Sequence, residues 1–301
     1  MKNSKITSAT LAALLAQVIF GLSFMFTKIA LDSASPMTVI ADRYLVAFLG
    51  MSVVAVFTGT KIKYNKNLWK LVIMSLFQPL LYFIFESYGI KMTTSAFSSI
   101  MISMIPVVSM ISGIFLLKEI PSPMQYAFTA LSIGGVVIMA LAGNADGTVS
   151  PLGILLLLGA VFSSVGYNIS SRKISAEFTA FERTYAMTVI GMIFFVCIAL
   201  IENIHNPINV LTPFLSASYM WAILYLGVFS SVVAFLFLNF ANTHLPVAKT
   251  TVFSNITTVV SVVAGVLFLK EKLSLETIVC AIMIIIGVFG VQVLGTKKNN
   301  Q

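Results

Sequence analysis

Apolar residues run along this chain in blocks of about twenty, and each block closes on a cluster of charged or polar residues, proline or glycine. A spanning helix needs about 20 mostly apolar residues at ~1.5 Å rise per residue. The breaks define ten such segments, approximately residues 7–31, 37–58, 69–90, 94–117, 124–142, 151–171, 182–203, 218–240, 247–269 and 274–294. One break, Gly143-Asn144-Ala145-Asp146-Gly147-Thr148, reads as a linker between halves. It divides the chain into a five-helix unit at 1–143, a linker loop at 144–150 and a second five-helix unit at 151–301.

The pattern also occurs twice. The run from Ala96 through Leu117-Lys118-Glu119 to Gly143 recurs 152 positions later, from Ala248 through Leu269-Lys270-Glu271 to Gly295. At that offset Val107-Val108-Ser109 meets Val259-Val260-Ser261, Gly113 meets Gly265, Ser122 meets Ser274, and Gly135-Val136 meets Gly287-Val288. Apolar segments resemble one another by chance, so the valines mean little alone. The charged Lys-Glu pair with its matched glycines and serine is harder to dismiss. An internal repeat in a membrane chain points to a transporter with its site at the repeat interface.

Composition agrees with the segments. Hydrophobic residues make up 58% of the 301 and charged residues only 9%, and mean hydropathy is +1.01. A soluble domain carries roughly 25% charged residues, so this chain uses lipid as its solvent. The formal charge of +8 suggests no nucleic-acid partner, because basic residues are what anchor cytoplasmic loops. With a cytoplasmic N-terminus, thirteen lysines and arginines fall on the inside, from Lys2 and Lys5 to Lys297 and Lys298. Only five, Lys28, Arg43, Lys91, Lys270 and Lys272, fall outside. That bias places both termini in the cytoplasm of a plasma (inner) membrane protein. Five helices per unit is an odd number, so the second unit is inverted relative to the first. The N-terminal apolar stretch is too long for a signal-peptide core and reads as a retained helix.

The expected fold is therefore an all-α membrane protein of ten transmembrane helices in two inverted five-helix repeats. Glycines within the segments, among them Gly21, Gly135, Gly265 and Gly287, read as points of close helix approach. Cys197 and Cys280 lie in apolar runs, and no metal-ligand spacing occurs. No Walker loop and no catalytic constellation are present, so neither ATP-driven transport nor an enzyme is indicated, and no cofactor or metal is expected.

At this point the chain resembles the EamA-type branch of the drug/metabolite transporter superfamily. The resemblance rests on Phe20-Gly21-Leu22-Ser23 with Lys28, and on Ser35-Pro36 leading to Arg43-Tyr44. Ile105-Pro106 with Leu117-Lys118-Glu119 belongs to it, as does Leu226-Gly227-Val228 through Asn239-Phe240-Ala241 and Leu245-Pro246 to Glu271 and Gly287. It covers nearly the whole chain and implies secondary transport of amino acids, other metabolites or drugs. The family usually has Trp where Phe20 stands and Pro where Thr258 stands, and Glu86 lies outside its pattern. Substrate identity does not follow from the architecture.

Candidate substrate-binding residues are the polar and aromatic positions inside the segments. Glu86, in Tyr82-Phe83-Ile84-Phe85-Glu86, lies roughly 7 Å inside the end marked by Lys91. A carboxylate facing lipid there would cost on the order of 2–3 kcal/mol. It either faces a cavity, binding a cationic group or taking up a proton, or it pairs with Lys91 or Arg43 or snorkels to the interface. Gln78 beside Pro79 either binds substrate or satisfies a kinked backbone. Arg43, next to Asp42, either captures an anionic group or anchors the helix end. Gln17, Tyr167, Asn168, Asn239 and Asn255 are mid-helix polar groups that either line a cavity or bond between helices. Ser103 and Asn255 are repeat partners at the 152 offset. Ser99 and Ser103 share a helix whose serines recur every three or four residues, and Phe20, Phe24, Tyr82 and Tyr167 can shape an apolar pocket. Glu119 and Glu271 read as structural helix ends.

The expected function is a secondary transporter of small metabolites, an exporter of amino acids or related compounds working by alternating access. A drug or organic-cation effluxer is the alternative, and a membrane scaffold or intramembrane enzyme is disfavoured. The expected partners are a small-molecule substrate, the lipid bilayer and, as a candidate coupling ion, protons.

Overall fold

The computed structural model describes residues 2–59, 67–117, 122–145, 149–245, 250, 253–271 and 274–294, and their regular elements are helical. In order these are α1 (Lys2–Leu31), α2 (Pro36–Thr58), α3 (Leu68–Ser75), α4 (Tyr82–Lys91), α5 (Ser95–Ile102), α6 (Ile105–Leu117) and α7 (Pro123–Ala145). They continue with α8 (Pro151–Ile174), α9 (Ala180–Glu202), α10 (Ala217–Leu224), α11 (Phe235–His244), α12 (Ser254–Phe268) and α13 (Leu275–Leu294). A π-helical stretch, Leu76–Leu81, joins α3 to α4, and another, Tyr225–Ala234, joins α10 to α11. Among the described residues, seven runs are long and apolar enough to cross a membrane, and Pro123–Met139, Ser254–Phe268 and Leu275–Val291 are shorter apolar helices. Lys118, Glu119, Pro246, Lys61, Lys63, Lys66, Lys249, Lys272, Lys297, Lys298 and linker residues 146–148 lie outside the described residues.

Local chemistry explains where these helices start. Ser35 Oγ accepts from Thr38 N at the head of α2, with Pro36 in the first turn. Thr94 caps α5 and Ser216 caps α10 in the same way. At α9, Thr179 and Glu182 form a reciprocal capping box. Each satisfies donors that the first turn leaves orphaned, and lipid offers no substitute.

Several expectations change: 69–90 and 218–240 are each interrupted by a π-helical stretch, and two further segments differ. The single segment 94–117 is two helices, separated by a turn at Ser103-Met104. Pro106 has no N–H to give the carbonyl four residues back, and that residue is Ile102, the last of α5. The segment ending at 142 continues to Ala145, since no proline or β-branched residue interrupts Ala142-Gly143-Asn144-Ala145. The helix therefore takes in the start of the stretch read as a linker.

The main packing joins early helices to late ones. α7 packs on α13, α2 on α9, α4 on α8, and α1 on both α11 and α12. α7 and α13 cross antiparallel, with Ser132 Oγ donating to Ile284 O at 3.2 Å and Gln125 Nε2 to Val291 O at 3.3 Å. A Cβ added at Gly135 would lie 3.0 Å from Cys280 O, and one at Gly287 would lie 2.6 Å from Phe128 O. Such contacts need a bare backbone. Large apolar side chains such as Phe57, Leu141 and Phe162 remain exposed around the outside, as a bundle solvated by lipid requires.

One end of the bundle is tied across the chain. Glu271 accepts from Ser95 N at 2.7 Å and Ala96 N at 2.9 Å, capping α5 from the far side of the sequence. Lys28 Nζ donates to Ile90 O at 3.1 Å and Thr93 O at 2.7 Å, closing the C-terminal end of α4. At the other end, Arg172 donates to Asn242 O and Thr243 O at the end of α11. The structural reading of Glu271 fits this placement.

Candidate central cavity

The broken helices create the site. Pro79 forces its predecessor out of the α region, and Gln78 sits extended at φ −149°, ψ 115°. The chain then re-enters a helix at Tyr82, which turns Tyr82 and Glu86, one turn apart, inward. Tyr82 OH donates to Glu86 Oε1 at 3.0 Å. The other oxygen, Oε2, is buried and has no hydrogen-bond partner among the described residues.

Arg43 arrives from α2. Its helix can approach the Tyr225–Ala234 stretch because residue 227 is glycine: a Cβ there would lie 3.0 Å from Arg43 O. Arg43 Nε donates to Ser231 Oγ at 2.7 Å and Nη2 to Ser230 Oγ at 2.8 Å, and the guanidinium carbon sits 4.1 Å from the Phe83 ring centroid. Asp42 instead accepts from Tyr219 OH at 2.6 Å. Arg43 is therefore no surface anchor paired with its neighbour; it is 3% exposed and faces the interior. Lys91 is exposed, and Lys70–Glu177 is the ion pair among the described residues. The expected alternatives in which Glu86 pairs with Lys91 or Arg43 are thus not what the structure contains.

These groups surround a cavity of about 60 Å³ lined by Gln17, Phe20, Ser23, Phe24, Arg43, Gln78, Tyr82, Phe83, Glu86, Ile102, Ile105, Ser164, Asn168, Leu238, Thr250, Ser254 and Thr257. One water needs roughly 10–15 Å³ on this measure, so the space as it stands holds a few waters. The walls are tied by side-chain bonds between distant segments. Thr257 Oγ1 donates to Gln17 Oε1 at 2.6 Å and approaches Gln17 O at 3.0 Å, and Asn242 Nδ2 donates to Asn168 Oδ1 at 3.2 Å.

Of the candidate residues, Gln17, Phe20, Arg43, Gln78, Tyr82, Glu86 and Asn168 come together around this cavity. Five do not. Tyr167 OH and Ser171 Oγ each donate to Asn239 Oδ1 at 2.8 Å, and Asn239 Nδ2 donates to Thr184 Oγ1 at 3.0 Å. This cluster is held by Arg183, which donates to Ser171 O and Asn239 O. Ser99 bonds back to Ala96 O within α5, and Ser103, in the turn that follows, bonds back to Ile100 O of the same helix. Asn255 is half-buried with an unpartnered Oδ1, away from the cavity lining.

Ser164, Thr250, Ser254 and Thr257 line the cavity without having been singled out. A signal for some of them exists: Ser254 and Thr257 follow the i, i+3 spacing of one helix face, and Ser164 precedes Asn168 by one turn. Thr258, the departure from the family pattern, lies on the next face and donates to Ser99 O at 3.1 Å.

Comparison with known proteins gives a consistent result. A model of the EamA-like transporter family matches residues 7–141 and again 151–293. The uncharacterized transporter YcxC of Bacillus subtilis (strain 168) is 33% identical over 301 residues, covering 98% of this chain and 96% of its own. The uncharacterized transporter YetK of the same organism is 26% identical, covering 91% and 83%. An uncharacterized transporter of Archaeoglobus fulgidus is 24% identical, covering 90% and 93%. One solved structure, titled only as the crystal structure of a protein, superposes with a TM-score of 0.66 at 18% identity over 96% of this chain and 99% of that one. That likeness concerns the fold alone.

Proposed function

The chain belongs to the EamA-like transporter family, and on that premise we propose that it is a secondary transporter exporting small metabolites, amino acids or related compounds first. One observation carries this reading: seven separately chosen polar and aromatic positions, from α1, α2, α4, α8 and the Leu76–Leu81 stretch, converge on a single cavity between early and late helices. Enclosed polar space at mid-bundle, bordered by interrupted helices, is where membrane transporters bind.

The mechanism we propose is alternating access between two inverted five-helix halves, 1–143 and 151–301. Several contacts support it. Ser132 touches Ile284, its own counterpart 152 positions away, as partners do at a twofold axis. The close approaches Gly135–Cys280 and Gly287–Phe128 are images of each other at the same offset. The π-helical stretch Leu76–Leu81 maps onto residues 228–233, inside the second π-helical stretch. Arg172 on the end of α11 mirrors Lys28 on the end of α4.

Proteoliposomes holding the purified protein test the function. Saturable uptake or counterflow of at least one radiolabelled amino acid is expected, and a dependence on an imposed pH gradient would identify protons as the coupling ion. Movement of organic cations without amino acids would favour the drug-effluxer alternative. Topology is tested by single cysteines in a cysteine-free background. Asn203→Cys should label with an impermeant reagent in intact cells and Asn3→Cys should not; the reverse pattern would refute the cytoplasmic N-terminus.

A further inference from the structure

Two opposite charges share the cavity without satisfying each other. Glu86 is 3% exposed, and only one of its carboxylate oxygens is tied, to Tyr82; Oε2 is left without a donor. Arg43 is equally buried, but the groups it holds are neutral: the hydroxyls of Ser230 and Ser231 and the face of Phe83. A pair built to neutralise itself would close into a direct, two-pronged contact. Instead no N···O approach of 4.0 Å or less joins them, although Arg43 is in coulombic reach of Glu86.

A buried carboxylate oxygen without a donor is costly, and so is a buried guanidinium held only by neutral groups. Both costs are relieved at once by a ligand that carries its own cation and anion. A purely cationic ligand answers Glu86 and leaves Arg43 with excess charge beside it. A purely anionic ligand does the reverse. Electrostatic complementarity therefore selects against both.

Resting on the reading of this cavity as the transport site, we propose that it recognises a compact zwitterion, whose ammonium binds Glu86 Oε2 and whose anionic group is held by Arg43. Tyr82 aims the carboxylate, while Ser230, Ser231 and Phe83 hold the guanidinium in place as a fixed anion site. Arg43 and Glu86 lie on different helices, α2 and α4, so a bound zwitterion bridges the two walls.

Ligand-induced shifts in thermal unfolding of the purified full-length protein test the proposal. The probes are L-alanine, L-threonine and L-leucine, their amides, which keep only the cation, and their N-acetyl derivatives, which keep only the anion. At least one free amino acid is expected to stabilise the wild type, with its amide and N-acetyl forms each about tenfold weaker or more, a difference of about 1.4 kcal/mol. Glu86→Gln should remove the preference for the free amino acid over its N-acetyl form. Should that variant not fold, Glu86→Asp, which keeps the charge and withdraws it by one methylene, should weaken binding by a similar factor. Equal binding of amide and parent, of N-acetyl form and parent, or no stabilisation by any of the amino acids overturns the proposal. So does Glu86-dependent binding of tetraethylammonium alone, though transport of that cation in proteoliposomes would leave the transport reading intact. Zwitterion binding with no flux of any labelled compound would sink the transport reading and spare the site.

Discussion

The stretches around Gln78 and Ser230 stand 152 residues apart and both interrupt an apolar helix, yet they differ in backbone, with Gln78 extended in the first, and in chemistry. Both are π-helical interruptions of an apolar helix, and both border the central cavity or the side chains that line it. The helix after the first presents Glu86; the helix after the second presents Leu238 at the corresponding position, and both residues line the cavity. The early helices thus supply the two charges, Arg43 and Glu86. The later helices supply hydroxyls and an amide: Ser230 and Ser231 under Arg43, then Ser164, Asn168, Thr250, Ser254 and Thr257 along the wall. Scaffold geometry tolerates duplication because it depends on backbone spacing. A site for a dipolar ligand cannot be symmetric, since each charge is needed once.

The sharpest way to break this contrast is to move the charge. Glu86→Leu should cut transport per folded molecule by about 10- to 100-fold, the loss of a charged hydrogen bond. Adding Leu238→Glu places a carboxylate at the corresponding position of the other helix. It should not restore activity, because neither Tyr82 nor the Arg43 guanidinium is arranged around that position. Recovery of flux in the double variant would show that either helix can carry the charge, and the asymmetry would lose its meaning.

A smaller effect is expected from Arg43→Lys, which keeps the charge and loses the fork. A lysine cannot engage Ser230 and Ser231 from two fixed nitrogens, so it should sample several positions in the cavity. Transport should fall about tenfold through weaker apparent affinity, with the maximal rate less affected. Full activity in this variant would mean that Arg43 acts by charge alone.

The shared geometry has its own test. Gly135→Val and Gly287→Val should each destabilise the α7–α13 crossing by about 1–3 kcal/mol, the usual cost of overpacking, read as a lower unfolding temperature in detergent. Gly287→Val should be the worse, since its Cβ would meet Phe128 O at 2.6 Å against 3.0 Å between the Gly135 Cβ and Cys280 O. Flux per folded molecule should change little in either, because this crossing contributes nothing to the cavity lining.

How much of this was legible in the sequence follows the same division. Segment positions could be read because lipid imposes a length and an apolar content on any helix that crosses it. Pro79 announces one helix break, since a missing N–H acts locally; Pro106 carries the same signal, yet 94–117 reads as a single apolar segment. The break at Tyr225–Ala234 has no proline to announce it, and it packs at Gly227 against α2, a contact between residues far apart in sequence. Glu86 stood out because a carboxylate in an apolar run needs a reason. Arg43 was ambiguous, since position near a helix end cannot tell an anchor from a buried cation; its hydroxyl partners come from residues 187 and 188 positions away. Asn239 was misleading for a similar cause. Mid-helix amides serve equally as lining or as hubs, and only the buried Arg183 decides in favour of the hub.

The least disruptive test asks where the site ends on the hydroxyl side. Thr257 donates to Gln17 Oε1, joining a late helix to an early one at the cavity wall, whereas Ser103, in the turn after α5, bonds among the described residues to Ile100 O of the preceding helix. Thr257→Val keeps the shape and deletes the hydroxyl, and an interhelical hydrogen bond in a membrane averages about 0.6 kcal/mol. The expected change is therefore a two- to threefold loss of apparent affinity at most, roughly what that energy converts to, with a marginal drop in unfolding temperature. Ser103→Ala should leave both quantities within error, because its hydroxyl crosses no interface and touches no cavity. A larger loss from Ser103→Ala than from Thr257→Val would place the working surface beyond the cavity, towards the turn between α5 and α6. Equal silence in both would mean that the later helices contribute shape alone, leaving recognition to the two charges.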